Sequence, residues 1–273
     1  MKDDLGDRQK KYYEDRTRYK LPRRTNTIIR CDGKSFKTLT RGFDKPFDKS
    51  LSDAMDNTAK ALCENIQGAV IAYVQSDEIT ILLTDYMKLT TDAWFDGNIQ
   101  KIVSVSASMA TGYFNSYINY DRPDDTRLMA FFDSRAFTIP YREEVINNFI
   151  WRQQDAVRNS ISMVAQSLYS HKELNGVKTK EQQELCFQKG VNWNDIDDGW
   201  KRGRMIIKDL IYKPINEDIG KKLMDDGDER VRWDIDGYSI NTTGWVIKPA
   251  IDFNKERDFF DQYLQFEKNM GFI

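Results

Sequence analysis

Two short stretches constrain the fold of this chain more than any other feature. The first, residues 28 to 36, is an apolar run that reaches an acid and a glycine, as a buried strand does when it ends at a site. The second, residues 69 to 83, consists of two β-rich runs on either side of Gln-Ser-Asp-Glu. This arrangement predicts a strand and a hairpin, with acidic residues at the end of both.

The segment between these stretches has the spacing of an amphipathic helix. Apolar residues recur at intervals of three and four between Asp48 and Gln67, Asp48 is suited to cap the helix, and Gly68 follows it. The unit is therefore a strand, a crossover helix and a hairpin. If the third strand pairs antiparallel with the first, Asp32 and Asp77 meet at one end of the sheet.

Two carboxylates that are forced together repel each other unless one is protonated or a cation lies between them. Oxygen ligands that leave room for water and phosphate suit Mg²⁺. Asp32 and Asp77 are therefore candidate catalytic residues of a two-metal site that transfers a phosphoryl or nucleotidyl group. Acids are also common in turns for conformational reasons, so the pattern by itself leaves a purely structural interpretation open.

The remaining segments of the N-terminal half complete a β-α-β-β-α-β order. Residues 93–117 have the pattern of a long helix, and residues 127–137 that of a fourth strand. The fold class predicted is α+β: a ferredoxin-like polymerase palm with an antiparallel sheet and a packed helical and β C-terminal extension. We expect the palm, with a basic N-terminal helix over residues 3–19, to occupy residues 1–137 and the extension residues 138–273.

The extension is predicted as a series of helices and strands that follow one another along the chain. They are a long helix at residues 143–169, a short helix and an acidic loop at 180–198, a hairpin or strand at 200–208, a β segment at 231–251 and a terminal helix.

Composition narrows the chemistry that is available. The single histidine, His171, lies in polar surroundings that indicate a surface position, so catalysis has to rest on carboxylates and cations. The three cysteines are widely spaced and contain no C-x-x-C pair, which predicts reduced thiols rather than disulfides or zinc. Neither a signal peptide nor a membrane span is indicated, so we expect a soluble, cytoplasmic protein with no membrane partner.

Positive charge is concentrated in a few places of a chain whose net charge is −2. Eight bases lie between Arg8 and Arg24, and we expect them to arrive next to Asp32 as a phosphate-binding face. Lys45 precedes the crossover helix and Lys101 lies early in the second long helix, where either could reach a triphosphate. A solvated surface is the alternative for each of these bases.

Five segments in consistent order resemble the tRNA-histidine guanylyltransferase family, which includes guanylyltransferase-like proteins that extend RNA in the 3′-to-5′ direction. The Tyr-x-Gln-Ser-Asp-Glu hairpin is the most specific of them, and the similarity spans about residues 1–213. The segments are Arg30 to Phe36, Lys45-Pro46, Ala72 to Glu78, Phe132 to Arg135 and Trp151 to Gln153.

The resemblance implies a set of site residues and substrates. Two Mg²⁺ ions would be held by the side chains of Asp32 and Asp77 and by the Gly33 carbonyl. ATP or GTP would activate the 5′-phosphate of a tRNA, and a nucleotide would then be added to that end. The resemblance also implies a homotetramer. The residues implied in nucleotide binding are Asp32, Gly33, Lys34, Ser35, Phe36, Lys37, Lys45, Ser76, Asp77 and Lys101.

One segment departs from the family pattern. The guanylyltransferases proper have His-Ile-Asn-Asn in the long helix, implicated in recognising tRNA-histidine, whereas Val157 to Ser160 stand here. This change favours a guanylyltransferase-like protein that repairs 5′-truncated tRNAs against the opposite strand as template, with Arg23, Arg24, Arg158 and Asn159 as candidate tRNA contacts. The alternatives are a tRNA-histidine-specific guanylyltransferase, a palm-type nucleotide cyclase and a catalytically silent tRNA-binding subunit.

Overall fold

A seven-stranded sheet organises the computed structural model, which describes residues 4–88, 90–118 and 129–264. The strand order is β4-β1-β3-β2-β5-β7-β6, and every neighbouring pair is antiparallel. The strands are β1 (Asn26–Gly33), β2 (Ala69–Gln75), β3 (Glu78–Leu83), β4 (Phe132–Ile139), β5 (Arg204–Pro214), β6 (Val231–Asp234) and β7 (Gly237–Pro249).

The helices of the described chain range from single turns to long rods. The α-helices are α1 (Asp4–Gln9), α2 (Phe36–Leu39), α3 (Lys49–Asn65), α4 (Ile99–Tyr117), α5 (Arg142–Leu168), α6 (His171–Leu174), α7 (Thr179–Gln188), α8 (Asp198–Arg202), α9 (Glu217–Asp225) and α10 (Asp261–Leu264). A π-helical turn, Lys10–Glu14, and a 3₁₀ turn, Asp15–Thr17, continue α1. Further 3₁₀ turns are Trp94–Gly97, Trp193–Asp195 and Arg257–Phe260.

Apolar cores cover both faces of the central strands, so the face to which each side chain belongs follows from its position in the strand. Because side chains alternate along a strand, Ile29 and Cys31 of β1 pack with α3 and α4 on one face, whereas Ile28 packs with α5 on the other. Arg30 and Asp32 therefore lie on the α5 face. A smaller apolar cluster packs the C-terminal part of α5 against α7 and Trp193.

Most elements of the N-terminal half match the sequence-based expectations. The crossover helix begins after Asp48, whose carboxylate accepts a hydrogen bond from the Leu51 N–H at 2.9 Å. Two details differ. The loop expected after β1 contains the short helix α2, and the long helix expected from residue 93 begins only at Ile99, where Asn98 caps it by accepting a bond from the Lys101 N–H at 3.1 Å. Residues 127 and 128 of the predicted fourth strand lie outside the described residues.

The C-terminal half extends the same sheet. β5 pairs with β2 from Ile71 to Val74, so backbone hydrogen bonds cross the expected boundary after residue 137. The predicted β segment is the β6–β7 hairpin, and β5 and β7 pair along their lengths. The division into two domains stays a prediction, and the terminal helix is described only as far as Leu264. Within the described ranges, no helix combines the length and apolarity needed to cross a bilayer.

A buried ion pair joins the two halves of the chain. The Arg204 guanidinium of β5 donates to both carboxylate oxygens of Asp56 on α3, at 2.8 and 3.0 Å, and both side chains are almost fully buried. Burial raises the pKa of Asp56 although Arg204 opposes this rise, so removing the carboxyl from water costs more than the pairing recovers. Such a pair contributes little net stability while intact, but losing one partner leaves a buried charge.

We therefore expect Asp56→Ala to lower the free energy of unfolding by about 3–5 kcal/mol, because Arg204 remains buried without its partner. Chemical denaturation followed by circular dichroism measures this loss. Asp53→Ala is the matched control, since its ion pair with Lys49 on the same helix is exposed, and it should cost less than about 1 kcal/mol. A double variant, Asp56→Leu with Arg204→Met, should recover most of the loss, and equal costs for Asp53→Ala and Asp56→Ala would contradict this account.

Candidate active site

Antiparallel pairing of β1 and β3 brings Asp32 and Asp77 to the same end of the sheet. Asp32 lies opposite Glu78 in the register, and the Gly33 N–H donates to the Asp77 carbonyl at 3.0 Å. Ser76 in the intervening turn has a φ of 49°, which lets the chain reverse tightly between β2 and β3. The structure therefore confirms the juxtaposition that the sequence predicts.

The electrostatics of Asp77 reflect this position. Burial raises the pKa of the Asp77 carboxyl, and the negative charge of Asp32 raises it further, against opposing hydrogen bonds from its own backbone and from Ser76. Both causes disfavour the ionised form. A cation placed between the two carboxylates would reverse both effects, because it would replace lost hydration and screen the repulsion.

The residues at this end of the sheet fit the ligand preferences of Mg²⁺. Among residues 4–88, 90–118 and 129–264, no group of three or more His, Cys, Asp or Glu side chains is arranged to hold a metal ion. Asp32, Asp77 and the Gly33 carbonyl include only two such side chains, and Mg²⁺ commonly takes one or two carboxylates and completes its shell with water and substrate phosphates. A Cβ on Gly33 would lie 2.4 Å from the Phe36 ring, so only glycine allows the backbone to lie this close to that ring.

The residues after Asp32 form a tight turn on which a triphosphate could rest. The Lys34 N–H donates to the Phe131 carbonyl at 2.8 Å, and Ser35 has a left-handed φ of 57°. Lys34, Ser35 and Lys37 are exposed. The Phe36 ring is buried, with its centroid 5.2 Å from that of Phe114, so its side chain serves the core and only its backbone can face a nucleotide.

The turn between β2 and β3, which carries Asp77, is called the acidic turn below. A buried ion pair behind the acidic turn was not anticipated from the sequence. The Arg152 Nε of α5 donates to a Glu78 carboxylate oxygen at 2.7 Å, and Arg30 lies 4.0 Å from the other oxygen. Arg152 also donates to Asp155 at 3.0 Å. Glu78 is thereby committed to cations of the protein, which leaves its neighbour Asp77 as the acid available to a metal. No local pattern reveals this pair, because its partners belong to elements far apart in the chain.

A cavity opens beside the turn on the side of β2 and β5. Phe47 and Trp200 both line this cavity and stack on each other, with ring centroids 5.0 Å apart and planes 15° apart. Its wall includes Asp48, Ser76 and Asn159. Sequence analysis missed Phe47, in the loop before α3, and Trp200, in the short helix α8, whereas it identified Ser76 for the nucleotide and Asn159 for tRNA. Lys45 is exposed on the loop that leads into this cavity.

Lys101 lies at the other end of the sheet from the acidic pair. The Phe132 N–H, opposite Gly33 in the register, donates to the Thr111 hydroxyl of α4 at 3.1 Å. Lys101 precedes Thr111 by ten residues, or about 15 Å along a helix, and its amino group lies over the Phe95 ring at 5.9 Å. The expectation that this chain's Lys101 reaches its own acidic pair is therefore not met.

The predicted tRNA contacts are also dispersed. Arg23 and Arg24 precede β1, so they lie about 26 Å from Asp32 at the far end of the strand, and the expected approach of the basic cluster to Asp32 is wrong. Arg23 donates to the Asp85 carboxylate at 2.8 Å, and Arg24 to the Asp85 carbonyl at 2.7 Å. Arg158 is exposed and donates to Asp155 at 2.9 Å. Contact of these residues with tRNA stays a prediction.

Comparison with known proteins gives a consistent result. The family model described as tRNAHis guanylyltransferase matches residues 7–140. A bacterial tRNA(His) guanylyltransferase-like protein solved in complex with ATP is 42% identical, superposes with a TM-score of 0.79, and is matched over 96% of this chain and 100% of its own. The same kind of bacterial protein in complex with GTP is 40% identical, with a TM-score of 0.72 over 96% of this chain and 99% of its own.

The chain belongs to the tRNAHis guanylyltransferase family. A tRNA(His) guanylyltransferase from Debaryomyces hansenii is 26% identical over 245 residues, which are 82% of this chain and 91% of that protein. Membership confirms the resemblance seen in the sequence and makes this family member a tRNA nucleotidyltransferase.

We expect Asp77→Asn to stabilise the protein at neutral pH in buffer without divalent cations. An acid whose pKa is raised on folding favours the fold below its ordinary pKa, here 3.8, and this contribution is lost as the pH rises through the raised value. The gain in melting temperature over the natural chain should therefore be present at pH 7 and disappear below about pH 3.8.

Added Mg²⁺ should reverse the order of the melting temperatures of Asp77→Asn and the natural chain. Added Mg²⁺ should raise the melting temperature of the natural chain and leave that of Asp77→Asn nearly unchanged, because a divalent ion needs the ionised pair. Asp236→Asn, at an exposed acid in the β6–β7 turn, is the control and should respond as the natural chain does. A destabilised Asp77→Asn variant, or one that Mg²⁺ still stabilises fully, would contradict the assignment.

Proposed function

We propose that this protein adds nucleotides to the 5′ end of tRNA in the 3′-to-5′ direction and, as a template-dependent enzyme, repairs 5′-truncated tRNAs. The observation that carries the proposal is the pair Asp32 and Asp77 at the end of β1 and β3, next to a cavity with an aromatic wall. The bacterial relatives are solved in complexes with ATP and GTP, which supports nucleoside triphosphates as substrates here.

In this proposal the first four strands act as a polymerase palm. Their order, β4-β1-β3-β2, with α3 and α4 on one face, supports this role because it leaves the ends of β1 and β3 in the middle of the sheet edge. Assembly as a homotetramer and a cytoplasmic location are expectations that accompany the proposal.

The reaction proceeds in two transfers. A phosphate oxygen at the RNA 5′ end attacks the α-phosphorus of ATP or GTP, pyrophosphate leaves, and the end becomes a 5′-5′ pyrophosphate linkage. The 3′-hydroxyl of the incoming nucleotide then attacks the RNA 5′-phosphorus, and the nucleoside monophosphate leaves. An RNA that already carries a 5′-triphosphate can begin at the second transfer.

The protein contributes binding and charge to both transfers. Asp32, Asp77 and the Gly33 carbonyl would hold Mg²⁺, which stabilises entering and leaving oxygens when bound. The cavity beside Ser76 suits the base of a nucleoside triphosphate because Phe47 and Trp200 offer it aromatic surface. Lys34 and Lys45 are exposed close to these elements and supply positive charge for the phosphates.

The long helix supports repair rather than strict selection of tRNA-histidine. Val157, in the place of the family's histidine, packs at the edge of the apolar cluster around Trp193 and has no group that can hydrogen-bond a base. Ser160, the last residue of the same segment, accepts a hydrogen bond from the Trp193 indole N–H at 3.1 Å. This surface thus lacks the imidazole on which the family's tRNA-histidine recognition is thought to depend.

The decisive experiment incubates purified protein with Mg²⁺, ATP, GTP and a 5′-monophosphorylated tRNA lacking its first nucleotide. We expect growth at the 5′ end for the natural chain and none for Asp77→Ala, whose tRNA affinity should stay within about tenfold because its partners are metal ions rather than RNA phosphates. Asp236→Ala, at the exposed turn between β6 and β7, is the control and should retain activity.

Other outcomes separate the competing functions. Cyclic nucleotide formed without RNA would indicate a palm-type cyclase, and tight tRNA binding without product would indicate a silent tRNA-binding subunit. Addition restricted to full-length tRNA-histidine would indicate a specific guanylyltransferase. Unchanged turnover in Asp77→Ala would refute the assignment of the site.

A further inference from the structure

A large aromatic side chain lies exposed on the sheet face that carries Asp32. Trp151 of α5 keeps 48% of its surface accessible although it lies next to two buried residues, Arg152 and Ile150. This side chain does not line the cavity beside Ser76 and is not one of the two acids, so the function proposed above gives it no role. An exposed indole on the same sheet face as Asp32, in contact with Arg30 two positions before it, offers a flat surface on which a nucleobase can stack.

Two guanidinium groups contact the Trp151 ring and hold its position. The Arg152 and Arg30 guanidinium groups lie over its ring, with their central carbons 4.5 and 5.5 Å from the centroid. Glu78 holds Arg152 through the 2.7 Å hydrogen bond and lies opposite Asp32 in the register. The ring therefore packs on a guanidinium that a buried ion pair holds in place, and the acid of that ion pair is the register partner of Asp32.

The surface around Trp151 is open and carries charges of both signs, because Asp133 of β4 lies opposite Asp32 in the register. Arg30 and Arg135 are register partners on β1 and β4, and alternation along both strands places them on the face of Asp32. Arg135 is half-exposed, and its only described ion pair is with the half-exposed Asp133 at 3.5 Å. β4 is the edge strand of the sheet, so a polymer can enter from this side.

We propose that Trp151 stacks on the terminal nucleobase at the reactive 5′ end of the RNA substrate, an inference that rests on the function proposed above. A nucleobase could also come from a free nucleotide, but the cavity on the β2 and β5 side already suits that substrate. Trp151 lies on the β1 and β4 side, with the acidic turn between the two places. With the free nucleotide in the cavity, the base that stacks on Trp151 is the one attached to the RNA 5′ end.

The test uses a truncated, 5′-monophosphorylated tRNA whose first nucleotide is 2-aminopurine, a base whose fluorescence falls when it stacks. The natural chain should quench the probe. Trp151→Leu, which keeps an apolar side chain over the guanidinium groups but has no ring, should lose the quenching and raise the KM for tRNA about tenfold or more, with the KM for ATP nearly unchanged. Trp151→Phe should restore most of both properties.

Trp233→Ala is the matched control, because this tryptophan is 65% exposed on β6 at the opposite edge of the sheet and should behave as in the natural chain. Quenching and a tRNA KM that are unchanged in Trp151→Leu would overturn the proposal. So would an equal rise in the KM for ATP, which would assign the ring to the free nucleotide. Quenching without any 5′ addition by the natural chain would refute the proposed function and support the stacking site.

Discussion

Backbone hydrogen bonds between β1 and β3 hold two carboxylates closer together than their charges favour. The ladder can impose this arrangement because both strands are buried on both faces, so the apolar packing that fixes their register also fixes Asp32 beside the turn that carries Asp77. The pKa of Asp77 is raised first by the burial of its carboxyl and then by the nearby negative charge of Asp32. In the proposed site, binding of a divalent ion would remove the same repulsion, so a local cost in the free protein would become part of the affinity for metal and triphosphate.

Two other acids near this pair are held by arginines within the protein, whereas Asp133, opposite Asp32 in the register, stays half-exposed with Arg135 3.5 Å away. Glu78 would add a third negative charge next to Asp77, but Arg152 binds it at 2.7 Å. Asp56 lies beneath the cavity side of the sheet and is held by Arg204. Each internal pair removes one carboxylate from competition for cations. In the proposed site, selectivity for cations would therefore depend on the arginines behind it as well as on Asp32 and Asp77.

Sequence patterns predicted the elements and the convergence of Asp32 and Asp77, because those follow from local periodicity and from one assumption about strand pairing. They failed in placing Lys101, Arg23 and Arg24 near Asp32, because the direction of α4 relative to the sheet is not encoded locally and because an extended strand separates the two arginines from that acid. A residue at the start of β1 is as far from Asp32 as the strand is long. The Phe47–Trp200 stack was also unpredictable, because it joins the loop before α3 to the short helix α8, and only the completed fold brings these two segments together.

The acidic turn separates two places of different character. On the side of β2 and β5, Phe47 and Trp200 form the wall of a cavity, which suits a small substrate that must be enclosed. On the side of β1 and β4 the sheet face is open, and Trp151 and Arg135 remain exposed, which suits the end of a polymer. A reaction that joins a free nucleotide to an RNA end needs both kinds of place next to one set of metal ligands. The strand order supplies them, because it puts β1 and β3 between the edge strand β4 and the added strand β5.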